Sequence, residues 1–223
     1  MGRITLVTGT DTGVGKTLLT ACLCHHLRNS GAHALAMKPF CSGSRSDARI
    51  LRSAGGNELT LEEVNPYYFK EPLAPYVAAK RPVTLKECLE VIRDLSRRCE
   101  HLLVEGAGGV LTPLGKTFFI DDFPGETILV ARNRLGTINH TLLSIRAIRP
   151  AAIVLMDQRR PDLSSKTNAQ AIRELLKGIP LVEIAYIGAS AKRRVGAVTE
   201  KIHPALSTLH SVVKRKPRRN AVW

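Results

Sequence analysis

The chain of 223 residues is 44% hydrophobic, and its 33 Lys and Arg against 19 Asp and Glu give a net charge of +14. That length and apolar content suit one sizeable core in a single α/β domain. No apolar stretch approaches the ~20 residues of a membrane-spanning helix, and the opening MGRITLVTGTDTG lacks the apolar segment of a secretory signal, so a cytoplasmic protein is expected. Five cysteines (Cys22, Cys24, Cys41, Cys88, Cys99) with irregular spacing and no CxxC pair read as free thiols rather than a disulfide framework or a zinc site. The positive charge is uneven. From Lys192 onward nine Lys or Arg face one acid, Glu200, so more than half of the excess lies near the C-terminus. Residues 1–213 are expected to form the folded domain and residues 214–223 a solvated basic tail, with no specific nucleic-acid or membrane partner.

A Val- and Leu-rich strand at 4–8 runs into Gly9-Thr10-Asp11-Thr12-Gly13-Val14-Gly15-Lys16-Thr17, and a helix over 15–29 follows at once. Glycines let a loop turn its backbone N–H groups toward phosphate oxygens, and the helix N-terminus adds partial positive charge. Lys16 is placed to reach the β- and γ-phosphates and Thr17 to ligate Mg²⁺. Thr10 occupies the first-glycine position of the strict GxxxxGK[ST] pattern, so this loop is one residue longer.

After Gly31 a second strand is expected at 34–38. It ends in Lys38-Pro39-Phe40-Cys41-Ser42-Gly43-Ser44, and Ser46-Asp47-Ala48 opens a helix over 46–54. Lys38 reads either as a second cation at the phosphate site or as a surface strand end, and Asp47 either as an acid near the metal or as a helix cap. Residues 71–82, rich in proline, read as a loop with a short helix before a helix over 85–98. The strand at 101–105 is strongly apolar and ends in Glu105-Gly106-Ala107-Gly108-Gly109, which favours a metal-facing carboxylate over a plain glycine turn. Strands at 127–131, 151–156 and 181–184 then alternate with helices at 138–148, 165–177 and 195–209. The alternation predicts a doubly wound, mainly parallel sheet with helices on both faces, the P-loop architecture. Ligands of such sheets bind beyond the carboxyl ends of the strands, where strand order switches. Residues 9–17, 38–47, 105–112 and the turn after Met156 should therefore converge.

TGTDTGVGKT, KPFCSGS with SDA, NPYYF, EPLAP, VEGAGGVLTPL and LGTINH follow one another in an order that resembles dethiobiotin synthetase, over residues 8–140. The resemblance implies ATP- and Mg²⁺-dependent carboxylation and cyclisation of 7,8-diaminononanoate with CO₂, through a carbamate and its mixed anhydride with phosphate. It implies a nucleotide site at Gly9, Asp11, Thr12, Gly13, Val14, Gly15, Lys16, Thr17 and Asp157, and metal ligands Thr17, Asp47 and Glu105. Lys16, Lys38 and Thr12 would lie at the reacting groups. Lys38, Ser42, Gly108, Gly109, Val110, Thr137, Ile138 and Asn139 would bind substrate, the last three from the second subunit of a homodimer. His140 reads as structural.

Where the family commonly places Asn-Asp after the fifth strand, this chain has Met156-Asp157, and a later Pro-aromatic pair reads Ala185-Tyr186. ATP is the expected co-substrate, with other nucleoside triphosphates admitted. Asn168 stands where some members have a tyrosine. A partition- or scaffold-type P-loop ATPase with a DNA-touching tail is the rival reading, and the KPFCSGS and LGTINH segments argue against it.

Overall fold

A computed structural model describes residues 1–188 and 190–214; most of the expected basic tail lies outside them. In chain order the elements are β1 (Arg3–Gly9), α1 (Lys16–Asn29), β2 (Ala34–Met37), β3 (Phe40–Ser42), α2 (Ser46–Ala54), α3 (Leu61–Val64), β4 (Tyr67–Phe69), α4 (Pro75–Ala78), α5 (Leu85–Arg97) and β5 (His101–Glu105). There follow β6 (Glu126–Arg132), α6 (Thr137–Ala147), β7 (Ala152–Met156), α7 (Asn168–Leu175), β8 (Leu181–Ile184), α8 (Val195–Lys201) and α9 (His203–Val213). No helix among the described residues is long and apolar enough to cross a membrane.

Six strands form one parallel sheet in the order β2-β5-β1-β6-β7-β8. Their near-continuous apolar runs follow from coverage on both faces. Alternate residues of β6 divide accordingly. Ile128 and Val130 join the core that contains α1, α8 and α9, whereas Leu129 and Ala131 pack with Ile148 and with Ala169 and Ile172 of α7. All five cysteines are free and buried, as expected of packing residues. After β1 the chain crosses to β2 at one edge, and from β6 onward it builds toward the other. The order reverses beside β1, which places the ligand crevice at the carboxyl end of that strand.

Three local features differ from the sequence-based expectation. β3 and β4 form a separate two-stranded parallel sheet, with Phe40 stacked on Tyr67 at a centroid distance of 5.0 Å. Three-residue strands carry too little periodicity to announce themselves. The helix expected at 165–177 is a 3₁₀ turn over Leu163–Lys166 followed by α7. The helix expected at 195–209 is two helices, broken at Ile202, where Pro204 sits in the first turn of α9 and has no N–H to continue the earlier ladder.

The small sheet positions the site. Asn65, from the NPYYF segment, donates its amide to the Lys38 and Pro39 carbonyls at 3.0 and 3.1 Å, and Arg45 donates to the Leu61 and Asn65 carbonyls at 3.0 Å each. These bonds fasten the chain leaving β2 to the segment between α3 and β4. The capping box of Thr60 and Glu63 fixes the start of α3 in turn.

Behind the sheet, His26 of α1, His101 of β5 and His203 and His210 of α9 cluster. Ring centroids lie 5.0 Å (His26–His203), 5.4 Å (His26–His210) and 6.4 Å (His101–His210) apart. His101 Nδ1 and His210 Nε2 are buried without a hydrogen-bond partner among the described residues. Burial lowers the pKa of His26, with His210 and His203 adding to the effect. Burial likewise lowers that of His101, joined by Arg3 and Lys214 and opposed by Glu100, and that of His210, joined by Lys214 and His101. A group whose native pKa is depressed below about 6.5 leaves the unfolded chain binding more protons in that window, so stability falls as pH descends through it. The thermal midpoint should therefore drop between about pH 7.5 and pH 5.5, and His210→Leu should flatten that slope. An unchanged slope in the variant would remove this cluster as the cause.

Candidate active site

The phosphate loop leaves β1 at Gly9 and enters α1 through Gly15, whose φ of +111° lies in the region that favours glycine. A Cβ at Gly15 would lie 3.1 Å from Met156 Cε, so the Met156 thioether packs directly on the loop. Lys16 is buried and folds across the loop, donating to the Asp11 carbonyl at 2.8 Å and the Gly108 carbonyl at 2.5 Å. Burial pulls its pKa down to about 8; Lys38 adds to that lowering, while Glu105, Asp11 and Asp47 oppose it. The Thr12 N–H is taken by the Asp11 carboxylate at 2.6 Å.

Beyond the ends of β2 and β5 a charged network forms around Lys38. Its ammonium donates to Glu105 Oε1 at 2.6 Å and Asp47 Oδ2 at 2.9 Å. The Thr17 hydroxyl donates to the same Glu105 oxygen at 2.8 Å. The surface reading of Lys38 is thereby excluded: it is 8% exposed and held by two carboxylates. Burial by itself would lower the Lys38 pKa, but Glu105 and Asp47 outweigh it and raise the pKa above the ordinary lysine value. Burial would raise the Asp47 pKa, yet Lys38 and Lys192 hold it well below the usual carboxylate range. Asp47 lies in the first turn of α2 and makes no side-chain cap, so the helix-cap reading fails as well.

Lys192 escaped sequence analysis. It reaches Asp47 Oδ1 at 2.7 Å from 145 residues away, and no local pattern signals such a contact. Arg132, at the end of β6, was also missed. It donates to the Thr12 carbonyl at 2.9 Å and the Gly13 carbonyl at 3.3 Å.

Thr17 Oγ1, Asp47 and Glu105 offer hard oxygen donors on one patch. Glu105 Oε2 is buried with no hydrogen-bond partner among the described residues, an expensive state that a cation would relieve. No group of three or more His, Cys, Asp or Glu that could hold a metal occurs among the described residues. A cation here would draw its other ligands from phosphate and water, which is how magnesium is ordinarily held.

Gly108 has φ +63°, and a Cβ at Gly109 would approach the Thr10 carbonyl to 3.3 Å, so both glycines let the segment after β5 lie against the phosphate loop. Residues 9–17, 38–47 and 105–112 converge as expected, and Met156, just before the fourth expected segment, packs on Gly15. Ser42 ends β3, half-buried. Val110 is 4% exposed and packs with Leu129 and Ala131.

Asp157 accepts from Asn133 Nδ2 at 2.8 Å. Asn168 is buried and donates to Asn133 Oδ1, the Arg134 carbonyl and Ser164 Oγ, so it braces the turns after β6 and β7. At the start of α6 the Thr137 N–H is already given to the Arg134 carbonyl at 3.1 Å, which narrows the anion-receptive end to Ile138 and Asn139. Beside it lies a small, open cleft lined by residues that include Asp11, Arg132, Arg134 and His140. His140 is exposed there rather than packed in a core.

Residues 3–198 match the family described as an AAA domain. The ATP-dependent dethiobiotin synthetase BioD of Bacillus licheniformis is 40% identical over 196 residues, 80% of this chain and 83% of that protein. That of Bacillus subtilis strain 168 is 36% identical over 225 residues, 93% and 97% of the two chains. That of Anaeromyxobacter dehalogenans is 39% identical over 204 residues, 84% and 92%. Among solved structures, the hydrogenase maturation factor HypB from Archaeoglobus fulgidus superposes with a TM-score of 0.59 at 14% identity, covering 96% of this chain and 91% of its own. The MinC:MinD cell division protein complex of Aquifex aeolicus gives 0.59 at 15% identity, covering 98% and 99%. At such identities the likeness is one of fold.

Proposed function

The chain belongs to the dethiobiotin synthetase family, and from that premise we propose that its active site performs the ATP-dependent carboxylation and ring closure of 7,8-diaminononanoate to dethiobiotin. One amine of the diamine takes up CO₂ as a carbamate. A carbamate oxygen attacks the γ-phosphorus of ATP and ADP leaves, giving a carbamic-phosphoric anhydride. The neighbouring amine then attacks the anhydride carbon, and phosphate departs as the ureido ring closes.

The observation that carries this reading is the Lys38 ammonium, fixed between Glu105 and Asp47 beside the phosphate loop. A lysine ammonium is charged at neutral pH, so Lys38 stabilises anionic carbamate and phosphoryl oxygens and does not act as a base. Lys16 exchanges its loop carbonyls for phosphate oxygens when nucleotide enters. Thr17, Asp47 and Glu105 would hold Mg²⁺, the Asp47 carboxylate being the one that Lys192 also contacts. Bound Mg²⁺ offsets the negative charge of the phosphates. Thr12 and Ser42 border the reacting groups, and Gly108 and Gly109 admit the substrate close to the backbone. No covalent enzyme intermediate is needed, because substrate and nucleotide supply every bond that changes.

The loop from Gly9 to Thr17 and Asp157 bind the nucleotide. Met156 offers a thioether where an amide would read the base edge, which favours relaxed base choice. The N–H groups of Ile138 and Asn139 hold the substrate's distal carboxylate across a homodimer, in the cytoplasm.

The test is to give purified protein 7,8-diaminononanoate, bicarbonate, Mg²⁺ and each nucleoside triphosphate in turn, and to follow dethiobiotin by mass spectrometry. Diamine-dependent product with ATP is expected, with measurable turnover from at least one other nucleotide. No dethiobiotin with any nucleotide would end the proposal.

A further inference from the structure

We propose that Arg132 is a positioning residue that clamps the outer side of the phosphate loop and sets its affinity for nucleotide; this rests on the nucleotide-site reading above.

β6 lies beside β1, with Val130 opposite Gly9, so Arg132, two residues further along and paired with Met156 of β7, lies past the end of β1 alongside the loop. Its guanidinium takes the Thr12 and Gly13 carbonyls through two different nitrogens, at 2.9 and 3.3 Å. In a trans peptide the carbonyl and the following N–H point in opposite directions, and every peptide bond among the described residues is trans. Holding those two carbonyls outward therefore turns the N–H groups of Gly13 and Val14 the other way, toward the inside of the loop where phosphate binds. The bonds also polarise the same peptide groups, which strengthens those N–H donors.

Two further observations fit a fork matched to this loop. Gly13 has φ +71°, and a Cβ there would fall 2.6 Å from Arg132 Nη2, so the glycine leaves the room that the guanidinium fills. Arg132 makes no ion pair among the described residues, so its charge adds to the field at the loop rather than being cancelled by a carboxylate. Lysine would retain the charge but could not span both carbonyls with a planar fork.

The experiment measures equilibrium binding of MgADP and MgATP, the KM for each substrate, and the thermal midpoint of the full chain for wild type, Arg132→Ala, Arg132→Lys, Gly13→Ala and the double variant Gly13→Ala/Arg132→Ala. Arg132→Ala is expected to weaken nucleotide binding by about tenfold, in the range of a lost charge-assisted contact. KM for ATP should rise in parallel, while the unfolding midpoint stays near wild type. Arg132→Lys should recover only part of the loss. Gly13→Ala should cost less affinity when Arg132 is already absent than when it is present, because the φ penalty is common to both backgrounds and cancels. Nucleotide affinity within twofold of wild type in Arg132→Ala, or a loss no larger than a fall in stability explains, would overturn the inference. Failure of the wild-type protein to bind any nucleotide would instead sink the underlying reading, and the clamp with it.

Discussion

Lys38→Ala should lower kcat by at least ~10²- to 10³-fold while MgADP binding remains measurable. Removing a single preorganised donor to a developing anion costs about that much in acyl-transfer sites, and Lys38 brings a full charge as well as hydrogen bonds. Its ammonium bridges Glu105 and Asp47, and it is buried. The substitution also leaves Glu105, whose side chain has 0% exposure, without its counter-ion. Breaking a buried pair by removing one partner costs about 3–5 kcal/mol, so the variant should unfold more easily in the absence of Mg²⁺. Asp47 keeps Lys192, which limits the damage at that end of the network. The two effects separate in a single-turnover experiment well below the unfolding temperature with both substrates saturating. Near-normal turnover there would remove Lys38 from the chemistry and leave it a structural ion pair.

Glu105→Gln tests the metal assignment with almost no change of shape. Glutamine can still accept from Thr17 and Lys38, but it brings no negative charge and replaces the unpartnered Oε2 with donor N–H groups or an amide oxygen. Changes one shell further out already cost about 10- to 100-fold in metal affinity. Losing a direct ligand should therefore raise the Mg²⁺ concentration for half-maximal turnover by at least that factor. Binding of metal-free nucleotide should change much less, because the loop N–H groups and Lys16 are untouched. If Glu105 served only as the counter-ion of Lys38, the unfolding midpoint would drop and the Mg²⁺ titration would stay where it is. Asp47→Asn should behave in the same direction with a smaller effect, since Asp47 is half-buried and already divided between two lysines.

The sheet was legible because its strands are buried on both faces, which writes a nearly unbroken apolar run into each. His101–Glu105 and Leu181–Ile184 emerge with the expected bounds, and the other long strands shift by one residue at one or both ends. The phosphate loop was legible for a different reason. Tight turns with positive φ need glycine at fixed places, so Gly13 and Gly15 leave a mark in the chain itself. Lys38 and Asp47 were visible as residues but not as a pair, and each had an ordinary surface explanation. Only the crossing of β2 beside β5 brings them to the same carboxylate.

By itself, then, the sequence determined what is local and periodic: a parallel α/β sheet, a glycine loop with Lys16 and Thr17, and the acid Glu105 closing an apolar strand. Tertiary structure decided what depends on distant segments meeting. It made Lys38 a buried bridge, brought Lys192 to Asp47, set Met156 against Gly15, sent Val110 into the core, and laid Arg132 across the Thr12 and Gly13 carbonyls from 120 and 119 positions away. Periodicity and turn chemistry act between neighbours in the chain, whereas charge pairing and close packing act between neighbours in space. In a doubly wound sheet the groups that share the crevice arrive from the ends of different strands, tens of residues apart.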